Sequence, residues 1–417
     1  MVVHSINRWE IKSSTGKHFD VLDGLRGVAI LMVVAFHTFY TNPESGVAVR
    51  AVAGLLGTGW MGVPIFFVLS GFLISYPFFR EREKNARFWY QSGYAARRIG
   101  KIMPPFYLSI MIFTLYYCCR FSDAAYLYTG LEWALGLPNF VLAPLRFNSS
   151  YWSLIVEAHF YVILPILFLL TRGLRARHTV TILFFMLLVV PLVTRQLTWP
   201  GEAVSKDTLG FLMSRFPCQL DFFAWGILFS GIYVSLSAVR DEVRLLSLLG
   251  YAGLALLIAS IALYARWARL FNIDLQPARW STEVFHLLPG ASAFLMLFFV
   301  FDPYCIGSRI LGHSSLRFIG IVSYEWFLFH LPVVYLFRDV FGRSHGSVVV
   351  YLLKTILPLA LTFGFSVIVY RFFSLPLMKR IRGQSPTGKP PFQVDQAQCG
   401  ERRKTDTDSQ TGERPNN

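Results

Sequence analysis

The stretch GLRGVAILMVVAFHTFYT, at residues 24–41, contains only two acidic or basic side chains, Arg26 and His37. A helix needs about 20 mostly apolar residues to cross the hydrocarbon of a bilayer. This stretch meets that requirement, and further runs of the same kind follow it. It therefore predicts a retained membrane span, because a cleaved leader would be followed by a soluble domain.

The composition of the whole chain agrees with that span. Of its 417 residues, 54% are hydrophobic and only 15% are charged, and the mean hydropathy is +0.48. Soluble domains carry about 25% charged residues, so this chain has too little polar surface for a globule of its size. The five cysteines are odd in number and mostly lie in apolar runs, which does not favour a disulfide framework.

Similar apolar runs recur along the chain and predict about ten transmembrane helices. They lie near residues 24–41, 55–78, 102–119, 152–171, 178–194, 217–234, 245–266, 284–302, 318–341 and 348–371. Residues 122–150 are interpreted as an outer loop with a short helix. The predicted fold is an all-α, polytopic membrane bundle with an N-terminal segment (1–17), a membrane domain (18–376) and a polar, disordered cytoplasmic tail (377–417).

The net charge of +15 is distributed unevenly between the two predicted faces. Seven lysines and arginines lie in 80–101 and nine in 371–417. The positive-inside rule therefore places both termini in the cytoplasm of a multi-pass protein of the plasma, or bacterial inner, membrane. The cations sit in short gaps between apolar runs and do not form the aromatic-interleaved basic surface that is typical of nucleic-acid binding. Membrane lipid is thus the expected partner, and nucleic acid is not.

Ionisable side chains inside spans are costly and usually face a bundle interior or a water-filled cavity. Arg26 and His37 are eleven residues apart, so they share one helix face and lie about 16 Å apart along the axis. Gly24 and Gly27 allow a neighbouring helix to approach that face closely.

A second group of polar residues is predicted in the outer half of the membrane. Ser153, Glu157 and Tyr161 follow one another at intervals of four and form one stripe. By their position in their own spans, Asp221 and His330 lie at a similar depth to Glu157 and His37. Groups at one depth suggest an aqueous pocket. We expect an imidazole of the first span and a carboxylate of the fourth to meet in it.

Cations mark the opposite face. Arg97, Arg98 and Lys101 lie where an inner loop enters a span. Two interpretations stay open at this point. The cations either hold that end of the span inside, or they form an anion site for a phosphorylated donor.

Five motifs follow one another along the chain. The first is FDVLDGLRGVAILMVVAFH at 19–37, in which ten residues separate Arg26 from His37. The others are GVPIFFVLSGFLIS (62–75), YAARRIGKIMPPFY (94–107), YWSLIVEAHFY (151–161) and SYEWFLFHLP (323–332). In this order the motifs resemble the acyltransferase 3 family of integral-membrane acyltransferases, which has the same Arg-x10-His spacing. Together they cover nearly all of the hydrophobic chain, from about residue 18 to 376. One departure is Lys101, where the family usually has a second arginine, so the planar fork that grips phosphate is lost there.

The resemblance implies transfer of an acyl group, commonly acetyl, from cytoplasmic acyl-CoA to a hydroxyl of a surface polysaccharide, lipopolysaccharide or lipid-linked sugar. It implies that His37, Arg26 and Glu157 are catalytic and that Arg98, with Arg97 and Lys101, binds the donor. Ser153, Tyr161, Asp221, Ser323, Tyr324 and His330 are the further pocket candidates. No bound cofactor and no metal are expected.

The residue types fit that chemistry, with some alternatives open. A histidine suits general-base work near neutral pH, and a carboxylate can orient it. His37 acting as a base and His37 itself carrying the acyl group are equally compatible with the sequence. A proton-coupled transporter or flippase would also use intramembrane histidines and carboxylates. In a structural or receptor protein, the same charges would only fix helix packing.

Overall fold

A computed structural model gives the arrangement of the chain. It describes residues 19–38, 47–83, 94–136, 148–198, 212, 214–236, 243–270, 279–341 and 348–383. Two predicted regions therefore fall largely or wholly outside the described residues. These are the N-terminal segment 1–17 and the predicted tail 377–417, of which only 377–383 are described, as part of a helix.

The described ranges are helical, as the sequence predicts. The α-helices are α1 (Asp20–Thr38), α2 (Val47–Leu56), α3 (Gly62–Glu83), α4 (Tyr94–Phe121), α5 (Ala125–Ala134), α6 (Tyr151–Leu170), α7 (Ala176–Thr198), α8 (Leu220–Leu236), α9 (Ser247–Leu270), α10 (Arg279–Met296), α11 (Ile306–Leu311), α12 (Ser314–Phe341), α13 (Val348–Val369) and α14 (Leu375–Gly383). Short 3₁₀ turns precede α3, α8 and α9 and follow α10, and a π-helical turn, Tyr370–Ser374, joins α13 to α14.

Nine segments within the described ranges are long and apolar enough to cross a membrane, which confirms a multi-pass protein. Nine of the ten predicted spans correspond to them. The remaining one, near 284–302, contains a shorter apolar stretch, Leu287–Phe301. This stretch is divided between the end of α10 and a 3₁₀ turn. The last segment continues past residue 376, because α14 extends the helical chain to Gly383.

Glycines bring α1 and α12 into close contact. A Cβ atom on Gly27 would collide with the backbone carbonyl of Leu316 in α12, and one on Gly24 with that of Leu311, the last residue of α11 just before α12. From the other side, a Cβ on Gly320 of α12 would strike the backbone of Asp23. The predicted close approach at Gly24 and Gly27 is therefore confirmed. It fixes α1 against α12 along the face that carries Arg26.

The predicted short helix in the outer loop is α5, and residues 137–147 of that loop lie outside the described ranges. Buried hydrogen bonds fix the start of α6, just after this loop. The Asn148 side-chain amide donates to the carbonyl of Leu328 in α12 at 3.1 Å. The Tyr151 hydroxyl donates to Ser109 of α4 at 2.8 Å. These bonds hold the first turn of α6 between α4 and α12, and so they set the position of Glu157.

Candidate active site

A cavity lies between α1, α3, α4, α6 and α12. It holds about 730 Å³ of empty space, open solvent included. Its lining residues are Arg26, Val63, Phe66, Phe67, Leu69, Ser70, Leu73, Ile74, Arg98, Lys101, Ser153, Leu154, Glu157, Tyr161, Ser323, Tyr324 and Phe327. Eight of the site residues suggested by the sequence are among them.

The cavity is elongated and has two unlike ends. On α3 it reaches from Val63 to Ile74, which are about 16 Å apart along the helix axis. The cations Arg98 and Lys101 belong to the first turns of α4, at the end near Ile74. The side chains near Val63, at the other end, are mostly apolar. An elongated anionic molecule would therefore enter with its charged part at the α4 end.

Two hydroxyl groups hold the carboxylate of Glu157 in the cavity wall. The Tyr161 hydroxyl donates to Glu157 Oε1 at 2.5 Å, one turn further along α6. The Ser70 hydroxyl of α3 donates to the same oxygen. Charge-assisted hydrogen bonds of this kind are among the stronger ones in proteins. Glu157 is thus a fixed negative group halfway along a cavity whose α4 end is positive.

Aromatic rings position the guanidinium of Arg98. It lies 5.7 Å from the ring centroid of Tyr161 and 5.9 Å from that of Tyr94. The Tyr94 hydroxyl in turn donates to the backbone carbonyl of Tyr161 at 3.2 Å. Burial raises the pKa of Tyr94 to about 12, so this hydroxyl keeps its proton at neutral pH. The rings hold Arg98 at the cavity, and no carboxylate of the described residues forms an ion pair with it.

Lys101 lies one turn further along α4, near charged groups of both signs. Arg26 and Arg98 repel its ammonium group, while Asp23 and Glu325 attract it. Glu325 belongs to α12 and is only 2% exposed. It lies beside Lys101 and Arg26, beneath the positive end of the cavity.

His37 and His330 form a hydrogen-bonded pair outside this lining. Nε2 of His330 is 2.9 Å from Nδ1 of His37, and the ring centroids are 4.8 Å apart. The Arg338 guanidinium donates to the backbone carbonyl of His37 at 2.6 Å. The pair belongs to the ends of α1 and α12 that are far from Arg26. Phe327, which lines the cavity, contacts the His330 ring at a centroid distance of 5.8 Å.

The expected meeting of His37 and Glu157 is therefore corrected. Glu157 is bonded to Ser70 and Tyr161, whereas His37 is bonded to His330. The expectation rested on equal depth in the membrane. Depth fixes one coordinate only, and the lateral packing of α12 against α1 brings the second histidine to His37.

Asp221 is a second correction, because it does not line this cavity. It is fully buried in α8 and forms an ion pair with Arg195 of α7 at 3.1 Å. Arg195 also donates to the carbonyl of Cys218 at 2.6 Å. The carboxylate thus neutralises the buried Arg195 guanidinium and links α7 to α8. The side chain of Arg97, a third donor candidate, lies outside the described part of the chain.

Nine of the lining residues were not singled out from the sequence, and two of these, Ser70 and Phe327, matter for the site. Ser70 is a small polar residue inside the apolar motif at 62–75, and that contrast is the signal that points to it. Phe327 carries no such signal, because the sequence is rich in phenylalanine throughout. Among the described residues, no group of three histidines, cysteines or carboxylates is placed to hold a metal ion.

The fold and the site together define a class of protein. Several helices cross the membrane, a cavity among them is positive at one end, and a histidine pair lies beyond its apolar end. This combination is that of a polytopic membrane protein built to handle an anionic small molecule. The profile of the acyltransferase 3 family, described as an acyltransferase domain, matches residues 19–371. The chain therefore belongs to that family.

Curated relatives of the chain have names that agree with the family. The peptidoglycan O-acetyltransferase OatA of Listeria monocytogenes is 26% identical over 400 residues, which cover 87% of this chain and 56% of that protein. The O-acetyltransferase OatA of Staphylococcus aureus is 24% identical over 396 residues, which cover 88% and 58%. The chain thus matches somewhat more than half the length of these relatives. No solved structure matches it.

Proposed function

We propose that this protein is a membrane O-acyltransferase, and specifically an O-acetyltransferase, that moves an acyl group from acyl-CoA on the cytoplasmic side to a glycan hydroxyl on the other side. Its family membership and the names of the relatives support acyl transfer to oxygen. The shape and charge of the cavity support acyl-CoA as the donor and transfer away from the cytoplasmic side.

The positive end of the cavity suits the phosphates of acyl-CoA. Arg98 offers a planar fork of hydrogen-bond donors for phosphate. Lys101 adds a compact positive charge beside it, and Arg26 adds a delocalised one. Glu157 lies further along, where a phosphate would be repelled and an uncharged chain would be tolerated. A thioester on a long, thin arm therefore fits with its phosphates at α4 and its acyl end deeper in the membrane.

One observation carries the proposal: the cavity is about 16 Å long, and its apolar part ends against Phe327, whose ring touches the His37–His330 pair. The acyl end of a donor held by Arg98 would point toward His37. Only the acyl group would then have to pass, while the charged nucleotide part of the donor stays at the inner face.

In the proposed reaction, His37 takes the proton of the acceptor hydroxyl as that oxygen attacks the thioester carbonyl. A carbon–oxygen bond forms and the carbon–sulfur bond breaks. The leaving thiolate then recovers the proton from the imidazolium. The products are an ester and free CoA, and His37 returns to its starting form.

The acceptor is proposed to be a hydroxyl of a bacterial surface glycan. The name of the Listeria relative makes peptidoglycan the first acceptor to test. Lipopolysaccharide and other surface or lipid-linked sugars are the next ones. All of them present a hydroxyl outside the plasma membrane, which is the side on which the apolar end of the cavity and the histidine pair are proposed to lie.

Mass spectrometry of surface glycans from cells with and without the protein tests this function. We expect a gain of about 42 mass units for each modified sugar, as for any covalently added acetyl group, and its complete loss in His37→Ala at unchanged protein abundance. A glycan of unchanged mass, together with acceptor movement across vesicles that lack acyl-CoA, would instead identify a transporter or flippase.

A further inference from the structure

The hydrogen bonds of the histidine pair determine where its protons lie. Nδ1 of His330 is 2.8 Å from the carbonyl oxygen of Phe327 and 3.1 Å from that of Trp326. A carbonyl oxygen only accepts hydrogen bonds, so Nδ1 of His330 carries a proton. The ring is fully buried, no carboxylate in the described part of the chain is hydrogen-bonded to it, and an ionised ring in such a place is costly. His330 is therefore neutral, and its Nε2 holds a lone pair.

The same reasoning applies to His37. Its Nδ1 is 2.9 Å from the carbonyl oxygen of Val33, one turn back along α1, and 2.9 Å from Nε2 of His330. Both of these atoms are acceptors. Nδ1 of His37 must therefore carry a proton, which it shares between them. In the neutral ring, this leaves the lone pair on Nε2 of His37.

The opposite assignment fails at two points. If His330 donated from Nε2, it would carry protons on both ring nitrogens and be a buried cation. Nδ1 of His37 would then be an acceptor that faces the Val33 carbonyl oxygen at 2.9 Å with no hydrogen between them. Arg338, a charged residue of α12, donates to the backbone carbonyl of His37. A positive neighbour makes a second buried cation at His330 still less favourable.

We propose that His330 is a positioning residue that holds His37 in the Nδ1-protonated tautomer, so that Nε2 of His37 is the atom that accepts the substrate proton. This proposal rests on the proposed function for its catalytic meaning. His330 fixes the ring of His37, and after proton transfer it accepts from the resulting imidazolium. A carboxylate fulfils this role in many acyl-transfer sites, whereas here a neutral imidazole on α12 does so.

The tautomer is measured without any turnover. The full-length protein is labelled with ¹⁵N-histidine, reconstituted in lipid nanodiscs, and its ring nitrogens are observed by NMR at neutral pH. His37→Gln and His330→Gln assign the two rings by the loss of their signals. We expect both rings to be protonated at Nδ1, with a coupling between His37 Nδ1 and His330 Nε2. Protonation of His37 at Nε2 would overturn the proposal, whatever reaction the protein performs.

Kinetic variants then test the effect on acyl transfer. His330→Leu keeps the size of the side chain but removes the acceptor, and we expect kcat to fall about 100-fold or more while the KM for acyl-CoA stays the same, as when an orienting partner of a general base is lost. His330→Gln places an acceptor oxygen near the position of Nε2, so it should retain activity within about tenfold of the wild type.

The controls separate this proposal from a structural role and from the proposed function. His178→Leu changes an exposed histidine of α7 and should leave kcat unchanged. Equal losses of activity in His330→Leu and His330→Gln would contradict a role in positioning. So would a loss of activity that comes from a higher KM at unchanged kcat. If the wild type forms no ester at all, the proposed function fails, and the NMR result still decides the tautomer.

Discussion

At the residue scale, the positive end of the cavity is defined by Arg98, which two aromatic rings hold in place. We expect Arg98→Ala to raise the KM for acyl-CoA about 10- to 100-fold, because a charge-assisted hydrogen bond contributes about 1.5–3 kcal/mol. The change in kcat should be small, since the acyl end of the donor lies far from Arg98. Initial rates over a range of acyl-CoA concentrations measure both constants.

Arg309→Ala is the matched control for that variant, because Arg309 is an exposed cation on the predicted inner side that does not line the cavity. It should leave the KM unchanged. An equal rise of the KM for acyl-CoA in both variants would contradict a donor site at Arg98. The cations would then only orient the protein in the membrane or contribute to the electrostatic potential at its surface.

A second residue-scale prediction concerns the buried pair of Arg195 and Asp221. Removing one partner of such a pair leaves a buried charge uncompensated and costs about 3–5 kcal/mol. Asp221→Ala and Arg195→Met should therefore each lower the unfolding temperature in detergent by several degrees. The double variant should be more stable than either single one, because apolar replacement of a whole pair is often neutral. Additive losses in the double variant would show that the two charges do not stabilise each other.

At the element scale, the contact of α1 with α12 places Arg26 in the cavity and His37 beside His330. We expect Gly27→Ala to lower the unfolding temperature, because a Cβ at this position collides with the backbone of Leu316. Overpacking of this kind costs about 1–3 kcal/mol. Activity should fall as well, since any separation of the two helices also separates the histidines.

Gly364→Ala provides the control, because nothing lies within 4 Å of a Cβ at that position in α13. Alanine in an exposed helical position is more favourable than glycine by about 1 kcal/mol. This variant should therefore be as stable as the wild type or slightly more so. A stability loss of the same size at both glycines would argue against close packing as the cause at Gly27.

The helices themselves follow from the sequence, but the assembly of the site follows from it only in part. Apolar runs of about 20 residues mark the spans, and the spacing of Arg26 and His37 sets their distance along α1. The sequence does not state which helices are neighbours. For that reason the sequence predicts His37 beside Glu157. The actual partner of His37 is His330, 293 residues further along the chain, for which the sequence predicts only a similar depth in the membrane.

Asp221 is a second residue whose partner the sequence does not predict. An acidic residue in an apolar span indicates a buried polar contact, but the sequence does not show whether the partner is a ligand or another side chain. The predicted span 178–194 ends one residue before the partner of Asp221, Arg195. The structure places it in the last turn of α7, only 3% exposed, within reach of α8.

At the scale of the whole molecule, the proposal requires that the two ends of the cavity open toward opposite faces of the membrane. Cysteines at two exposed positions test the topology with a thiol reagent that does not cross the membrane. Ala124→Cys, between α4 and α5, should react from outside intact cells. Gly173→Cys, between α6 and α7, should react only after the cells are opened. The reverse pattern would invert the proposed direction of transfer.

The central claim is that the acyl group crosses the bilayer through this cavity and passes His37. The most direct measurement uses sealed vesicles that contain the full-length protein, with radiolabelled acetyl-CoA on the face that exposes the α4 end and peptidoglycan fragments on the other face. We predict labelled ester on the acceptor across the membrane with wild-type protein and none with His37→Ala. Ester that forms only when donor and acceptor share one face, or that persists in His37→Ala, would contradict this account.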